Sequence, residues 1–220
     1  MILELKYMNV VPENKKFEVH DKEKLTINYK SYADIKAQEG IIKRFKAELS
    51  TLVIWGTHGS ASNLCNLTAK DIESLVEILS GAVFNTIVLD ACESALYAEA
   101  FASLLSEKGI VLCHMGICPM QIMTSGEFQE SEIRAVWKKY VEEQMKSIST
   151  YCLKGVFPAI YHKSGAISPK PGAMHHLAVK DMPYESDGDN PFNENALKGN
   201  VDNTESCVVT DDQAFFKFMD

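Results

Sequence analysis

Short apolar runs alternate with amphipathic stretches through most of the chain. The apolar runs are typical of strands buried inside a sheet, and they are TLVIW (51–55), NTIVLD (85–90), IVLCHMG (110–116) and VFPAIYH (156–162). Residues 2–7 and 24–30 alternate apolar and polar side chains, as strands or a hairpin do. Between these segments, apolar residues recur at helical spacing, which predicts helices over 31–49, 67–81, 92–109 and 128–148.

Two of the predicted helices carry residues suited to their ends. Ser31 is a favoured N-cap residue for the helix over 31–49. Thr68, with Asp71 three residues later, matches the capping-box pattern, and Gly81 is placed to end that helix. These signals support the helix boundaries that the periodicity predicts.

The alternation of strands and helices indicates the fold class. Helices of this length between buried strands predict βαβ crossovers and hence a three-layer α/β/α domain with a mostly parallel central sheet. None of the strand patterns is followed by a G-x-G-x-x-G or P-loop fingerprint. The sequence therefore gives no support for a dinucleotide or nucleoside triphosphate fold.

The net charge and the lengths of the apolar runs argue against nucleic acid and membranes as partners. The chain has 22 Lys and Arg against 30 Asp and Glu, a formal charge of −8, which argues against direct binding to nucleic acid. The first ten residues lack the pattern of a secretory signal, and no apolar run has the length of a membrane span. We therefore expect a soluble, cytoplasmic protein that makes no membrane contact.

Six cysteines raise the question of disulfides and metals. Without an export signal, reduced thiols are favoured over disulfides. There is no CxxC pair, so we expect neither a metal site nor a cofactor. Four cysteines are expected to be core thiols: Cys65, Cys113, Cys118 and Cys152.

The chain changes character after residue 162. Residues 163–220 hold four of the seven prolines and ten acidic residues against five lysines. We therefore expect a folded domain over 1–162. The acidic, loop-rich segment over 163–220 is expected to pack on that domain or regulate it.

Two predicted strands end close to residues with nucleophile and base chemistry. His58 follows the run 51–55, and Cys92 follows the run 85–90, where its helix is predicted to start. The carboxyl ends of parallel strands meet at one edge of a sheet, so the two side chains can be neighbours. A helix N-terminus favours a thiolate, and an imidazole can move its proton. Taken alone, each residue is more often structural, but the pair indicates cysteine acyl-transfer chemistry.

The two motifs together resemble a known family. LVIWGTHGSASNL and IVLDACESA resemble the caspase-like cysteine peptidases, which include caspases, legumains, gingipains, separases and metacaspases. LTAKDIESL after the histidine segment is similar to CHAT domains, the bacterial relatives of separase. The resemblance covers residues 50–120 and implies a caspase-like α/β/α fold.

The resemblance also implies roles for individual residues. Cys92 would be the nucleophile and His58 the general base and acid of a dyad. The N–H groups of Gly59 and Cys92 would form the oxyanion hole. Asp90, two residues before the nucleophile, would line the pocket for the residue that precedes the scissile bond. An unpaired carboxylate there would favour Arg or Lys, although Asp90 as the N-cap of the following helix is the alternative.

The expected function is that of a cysteine endopeptidase that cleaves a protein substrate after Arg or Lys. CHAT domains are commonly coupled to sensors in bacterial stress or defence systems, so the resemblance implies a regulatory protein partner. Two alternatives stay open: a catalytically silent caspase-like interaction module, and a hydrolase or transferase that acts on a non-peptide acyl group.

Overall fold

The computed structural model describes residues 1–20, 23–56, 59–60, 62–114, 130–145, 158–165 and 167–168. Their strands are β1 (Ile2–Tyr7), β2 (Phe17–His20), β3 (Lys24–Tyr29), β4 (Thr51–Trp55), β5 (Gly59–Ser60), β6 (Asn63–Leu64), β7 (Phe84–Asp90), β8 (Leu105–His114), β9 (Pro158–His162) and β10 (Ile167–Ser168). Their α-helices are α1 (Tyr32–Ala37), α2 (Glu39–Phe45), α3 (Ala69–Leu79) and α4 (Glu130–Met145). Short 3-10 helices cover Glu13–Lys15, Lys46–Glu48 and Ser94–Leu104.

Eight of these strands form one sheet, in the order β10-β9-β8-β7-β4-β1-β3-β2. The five neighbouring strands from β8 to β3 are parallel to one another. The pairs β2–β3, β8–β9 and β9–β10 are antiparallel. The prediction of a mostly parallel central sheet is therefore confirmed, and the sheet continues to Ser168, past residue 162.

Helices pack on both faces of the sheet. On one face, α1, α2, α3 and the 3-10 helix Ser94–Leu104 bury apolar side chains such as Ile35, Leu75 and Phe101. On the other face, α4 buries Trp137 against a smaller cluster around Val88. Because β4 and β7 are covered on both sides, their residues form continuous apolar runs. This arrangement is compatible with the three layers predicted from the sequence.

The capping signals are confirmed at α1 and α3. The Thr68 N–H donates to the Asp71 carboxylate at 2.9 Å, and the Asp71 N–H donates back to the Thr68 hydroxyl at 3.3 Å. At α1, the Ser31 N–H donates to the Asp34 carboxylate at 2.9 Å. Gly81 follows α3 with a φ of +92°, a left-handed conformation that glycine adopts without strain.

The predicted helix over 31–49 is wrong as a single element. The chain forms α1, then α2, then a 3-10 turn, because Gln38 between the α-helices has φ −98° and ψ 10°. The two N-terminal strand patterns do not form a hairpin with each other either. β1 and β3 pair in parallel, and the hairpin is formed by β2 and β3.

The predicted helix over 92–109 is also wrong in type and extent. The chain forms a 3-10 helix over Ser94–Leu104 and then enters β8 at Leu105. Gly109 therefore lies inside a strand, where a Cβ would come within 2.8 Å of the Phe84 carbonyl oxygen. The pairing of β7 with β8 is irregular just after Phe84, and glycine permits this close approach of the backbones.

Candidate active site

The carboxyl ends of β4, β7 and β8 lie side by side at one edge of the sheet. Trp55 at the end of β4 pairs with Asp90 at the end of β7. Val88 pairs with Leu112, and two residues further on β7 and β8 end at Asp90 and His114. In an open parallel sheet, this edge is where ligands and catalytic groups gather.

Cys92 lies in a tight turn directly after β7. It is half-buried, and the next residue, Glu93, has φ 52° and ψ 17°, in the left-handed region. The Ser94 hydroxyl donates to the Leu89 carbonyl at 2.7 Å and accepts from the His114 N–H at 3.0 Å. Because Ser94 links the ends of β7 and β8, the turn that carries Cys92 is held on two sides.

Gly59 lies directly against this turn. It starts the β5–β6 hairpin, where it pairs with Leu64. A Cβ built on Gly59 would overlap the carbonyl oxygen of Cys92, so only glycine fits at this distance. The segment after β4 is thus in backbone contact with the segment after β7.

A second contact joins the same two segments. The Tyr97 hydroxyl, on the 3-10 helix after Cys92, donates to the Ser60 carbonyl at 2.7 Å. Burial, and to a smaller extent the Glu93 carboxylate, raises the pKa of Tyr97, so its hydroxyl stays protonated as a donor near neutral pH. Tyr97 and Gly59 together fix the spacing between hairpin and turn.

The four predicted site residues have different outcomes. Gly59 and Cys92 lie in backbone contact, and their roles in catalysis stay predictions. Thr57 and His58 lie outside the described residues, so the predicted role of His58 stays a prediction. Gly56, directly before them, is a packing residue, since a Cβ there would come within 2.5 Å of the Tyr7 Cβ.

Asp90 differs from its expected environment. Its side chain is fully buried, and the carboxylate lies 3.5 Å from the His114 Nε2, which is also fully buried. The expectation of an unpaired carboxylate is therefore wrong. The alternative of Asp90 as N-cap is wrong as well, because Asp90 belongs to β7 and the cap position is held by Glu93.

His114 is not among the predicted site residues, although the sequence carries a signal for it. The runs IVLD and IVLCH each end on a polar residue, and their strands are neighbours in parallel register. Residues at equivalent positions of adjacent parallel strands share a face, so Asp90 and His114 can be paired from this pattern. The signal is weak because the apolar run continues past His114 to Met115 and Gly116, so His114 does not mark the end of a strand in the sequence.

Two other thiols in the described part of the chain are poor nucleophile candidates. Burial raises the pKa of Cys65, and burial raises the pKa of Cys113 to about 12. Both are core residues, as the sequence predicts. The remaining three cysteines, Cys118, Cys152 and Cys207, lie outside the described residues. Among the described thiols, Cys92 is the one that reaches the edge of the sheet half-exposed.

Comparison with family models, curated proteins and solved structures finds no match. Among the helices that the structure describes, none combines the length and the apolar character needed to cross a membrane. Within the described ranges, no three His, Cys, Asp or Glu side chains form a group that could hold a metal ion.

Substitution of Tyr97 by phenylalanine tests whether the hairpin–turn contact matters. We expect a loss of about 1 kcal/mol in the free energy of unfolding, because one net hydrogen bond is removed. Thermal unfolding measures this. Tyr7→Phe is the matched control, since the Tyr7 hydroxyl donates to Asn9 at an exposed position. Equal stability losses in the two variants would contradict a special role for Tyr97.

The left-handed backbone of Glu93 gives a second prediction. Glu93→Gly is expected to be more stable than Glu93→Ala by about 1 kcal/mol, because a left-handed conformation costs about that much for any residue with a Cβ. At Glu99, an exposed position inside the 3-10 helix that follows Glu93, the order is expected to reverse. Urea unfolding of the four variants decides the point, and the same order at both positions would contradict the assigned conformation.

Proposed function

We propose that this chain is a cysteine endopeptidase with a caspase-like fold, in which Cys92 is the nucleophile and His58 the general base and acid. The backbone contact of Gly59 with Cys92 carries the proposal, because Gly59 is the residue that follows His58 in the sequence. The position of Cys92 in a tight turn at the carboxyl edge of a parallel sheet supports it further.

The proposed reaction has two halves. His58 accepts the thiol proton, and the Cys92 sulfur attacks the carbonyl carbon of the scissile bond while the N–H groups of Gly59 and Cys92 stabilise the oxyanion. His58 then donates the proton to the leaving amine, which departs and leaves a thioester. Water, deprotonated by His58, hydrolyses the thioester and regenerates the thiol.

Cleavage after a basic residue is the proposed specificity. Asp90 ends β7 and lies two residues before Cys92, so we assign its carboxylate to the pocket for the residue that precedes the scissile bond. A carboxylate in a dry site binds a guanidinium or ammonium group through charge-assisted hydrogen bonds. Since the carboxylate faces His114, the basic side chain has to enter against this imidazole.

A regulatory protein partner belongs to the proposal. The similarity of LTAKDIESL to CHAT domains supports a place in a bacterial stress or defence system. The acidic segment over 163–220 is the proposed point of regulation, because it carries ten acidic residues against five lysines and so suits a basic surface on a partner.

A panel of fluorogenic peptides that differ only in the residue before the cleaved bond tests the proposed function. We expect the purified chain to cleave after Arg and Lys and not after Asp or Gln, and we expect Cys92→Ala to be inactive. Cleavage after Asp would overturn the role of Asp90 and leave the dyad intact. If no peptide is cleaved in a Cys92-dependent manner, the chain is better explained as a catalytically silent interaction module.

A further inference from the structure

Asp90 and His114 form a buried pair at the ends of two neighbouring strands, β7 and β8. Both side chains are fully buried, and Asp90 Oδ1 lies 3.5 Å from His114 Nε2. They sit at the ends of adjacent parallel strands, two residues beyond the pair Val88 and Leu112. The register of β7 and β8 therefore places these two residues next to each other at the edge of the sheet.

His114 is contacted by Ser94 at its backbone and by Trp137 at its ring. The His114 N–H donates to the Ser94 hydroxyl at 3.0 Å. The Trp137 ring, from α4, lies with its centroid 5.0 Å from the imidazole centroid and is fully buried. The backbone of His114 is thus fixed to the turn that carries Cys92, and its side chain lies near both Asp90 and Trp137.

Because Asp90 is fully buried, the groups next to its carboxylate determine how costly its ionised form is. An ionised carboxylate without a partner is costly in a dry environment, so a buried Asp is retained where a donor faces it. In the protein without substrate, the His114 imidazole takes up the space next to this carboxylate, with Nε2 3.5 Å from Asp90 Oδ1. A substrate side chain can bind the Asp90 carboxylate only if it displaces the imidazole and offers the carboxylate hydrogen bonds and a positive charge.

We propose that His114 is a specificity-determining residue that occupies the Asp90 carboxylate until a substrate's basic side chain displaces it. This role rests on the proposed function and adds the group, the His114 imidazole, with which the substrate must compete. A guanidinium is always charged and donates two parallel hydrogen bonds to a carboxylate, whereas an ammonium is a point charge. The competition therefore favours Arg over Lys and excludes neutral residues.

Binding of benzamidine, a small amidinium probe, tests the proposal without relying on turnover. Isothermal titration calorimetry in the Cys92→Ala background compares the parent with His114→Gln, which removes the imidazole and keeps an amide donor. We expect His114→Gln to bind benzamidine about tenfold more tightly, a change that corresponds to removal of one modest competing polar contact. His114→Ala serves as a second variant, and circular dichroism confirms that each one folds.

Two controls separate competition for Asp90 from a general effect. His162→Gln makes the same chemical change on the neighbouring strand β9, where His162 pairs with Ile110 and not with the end of β8, and it should leave binding unchanged. In an Asp90→Asn background, His114→Gln should give no gain in affinity, because the carboxylate for which His114 and benzamidine compete is then absent. A gain that persists in the Asp90→Asn background would overturn the proposal.

The remaining outcomes are equally decisive. Equal affinities of the parent and His114→Gln, within about twofold, would overturn the role of His114, since 0.4 kcal/mol is below a meaningful polar contact. An absence of binding in every variant would overturn it too. Peptide turnover, measured separately with the Cys92-containing chain, shows whether the proposed peptidase activity itself has failed.

Discussion

Replacement of Cys92 by alanine is expected to lower kcat/KM for Arg peptides by about a thousandfold or more, because no other group replaces a covalent nucleophile. His58→Ala is expected to cost about 100-fold to 10,000-fold, the range of general acid–base catalysis. Initial rates with a fluorogenic Arg peptide measure both effects. The double variant should be no worse than Cys92→Ala, since the two residues act as one unit.

Cys113→Ala is the matched control for the loss of a thiol. Cys113 is buried in β8, and its hydrogen bond to the Ala159 carbonyl is 3.5 Å long. We expect Cys113→Ala to lower stability and to keep turnover within about threefold of the parent, because the group lies outside the reacting atoms. Activity that falls equally in both variants would contradict the assignment of Cys92.

Gly59→Ala is expected to have the second-largest effect, because the added methyl group would overlap the Cys92 carbonyl oxygen. Relief of the overlap requires the hairpin and the turn to separate. Overpacking of this kind costs about 1–3 kcal/mol in the free energy of unfolding. A shift of about 1 Å between reacting groups costs roughly 100-fold in turnover. Denaturant unfolding and peptide kinetics measure the two losses.

Gly40→Ala is the control for the glycine-to-alanine change itself. No atom lies within 4 Å of a Cβ built at Gly40, and the residue lies in α2. Alanine there is expected to raise stability by about 0.5–1 kcal/mol, because it removes the cost of glycine in a helix. If Gly59→Ala behaves like Gly40→Ala, the close contact between hairpin and turn is contradicted.

The parallel core of the sheet could be predicted because its signals are local. Buried strands such as 51–55 and 85–90 carry continuous apolar runs, and the Thr68–Asp71 capping box lies within one turn of chain. The partner of β1 could not be predicted in the same way. Its alternating pattern fits a hairpin or a parallel pair, and the pairing with β3 depends on how the whole sheet assembles.

The segment after Cys92 shows where periodicity fails. The stretch from Ser94 to Gly109 is rich in helix-forming residues, and yet β8 begins at Leu105. Tertiary pairing with β7 overrides the local preference, and Gly109 allows the backbones to approach. The close approach of Gly109 to the Phe84 carbonyl oxygen, which requires glycine, cannot be inferred from the sequence alone.

The sequence indicates which strand ends are followed by reactive residues, but it does not indicate the contacts that those strand ends make. Sequence spacing predicts that Cys92 and His58 follow neighbouring strand ends, and in the described residues Gly59 contacts the Cys92 turn. The Asp90–His114 pair depends on strand register, which a one-residue slip would abolish. The candidate nucleophile and base could be inferred from residue types, whereas the residue next to the buried Asp90 carboxylate could be identified only from the structure.

Labelling by an arginyl chloromethyl ketone, mapped by peptide mass spectrometry, is the most direct test of the Cys92–His58 dyad. Cysteines 65 and 113 serve as internal references, because burial raises their pKa values and keeps them protonated. We predict a single adduct on Cys92 that forms at least about tenfold more slowly in His58→Ala, since the imidazole would no longer take the thiol proton. Adducts spread over several cysteines, or labelling of Cys92 at the same rate in His58→Ala, would contradict the dyad.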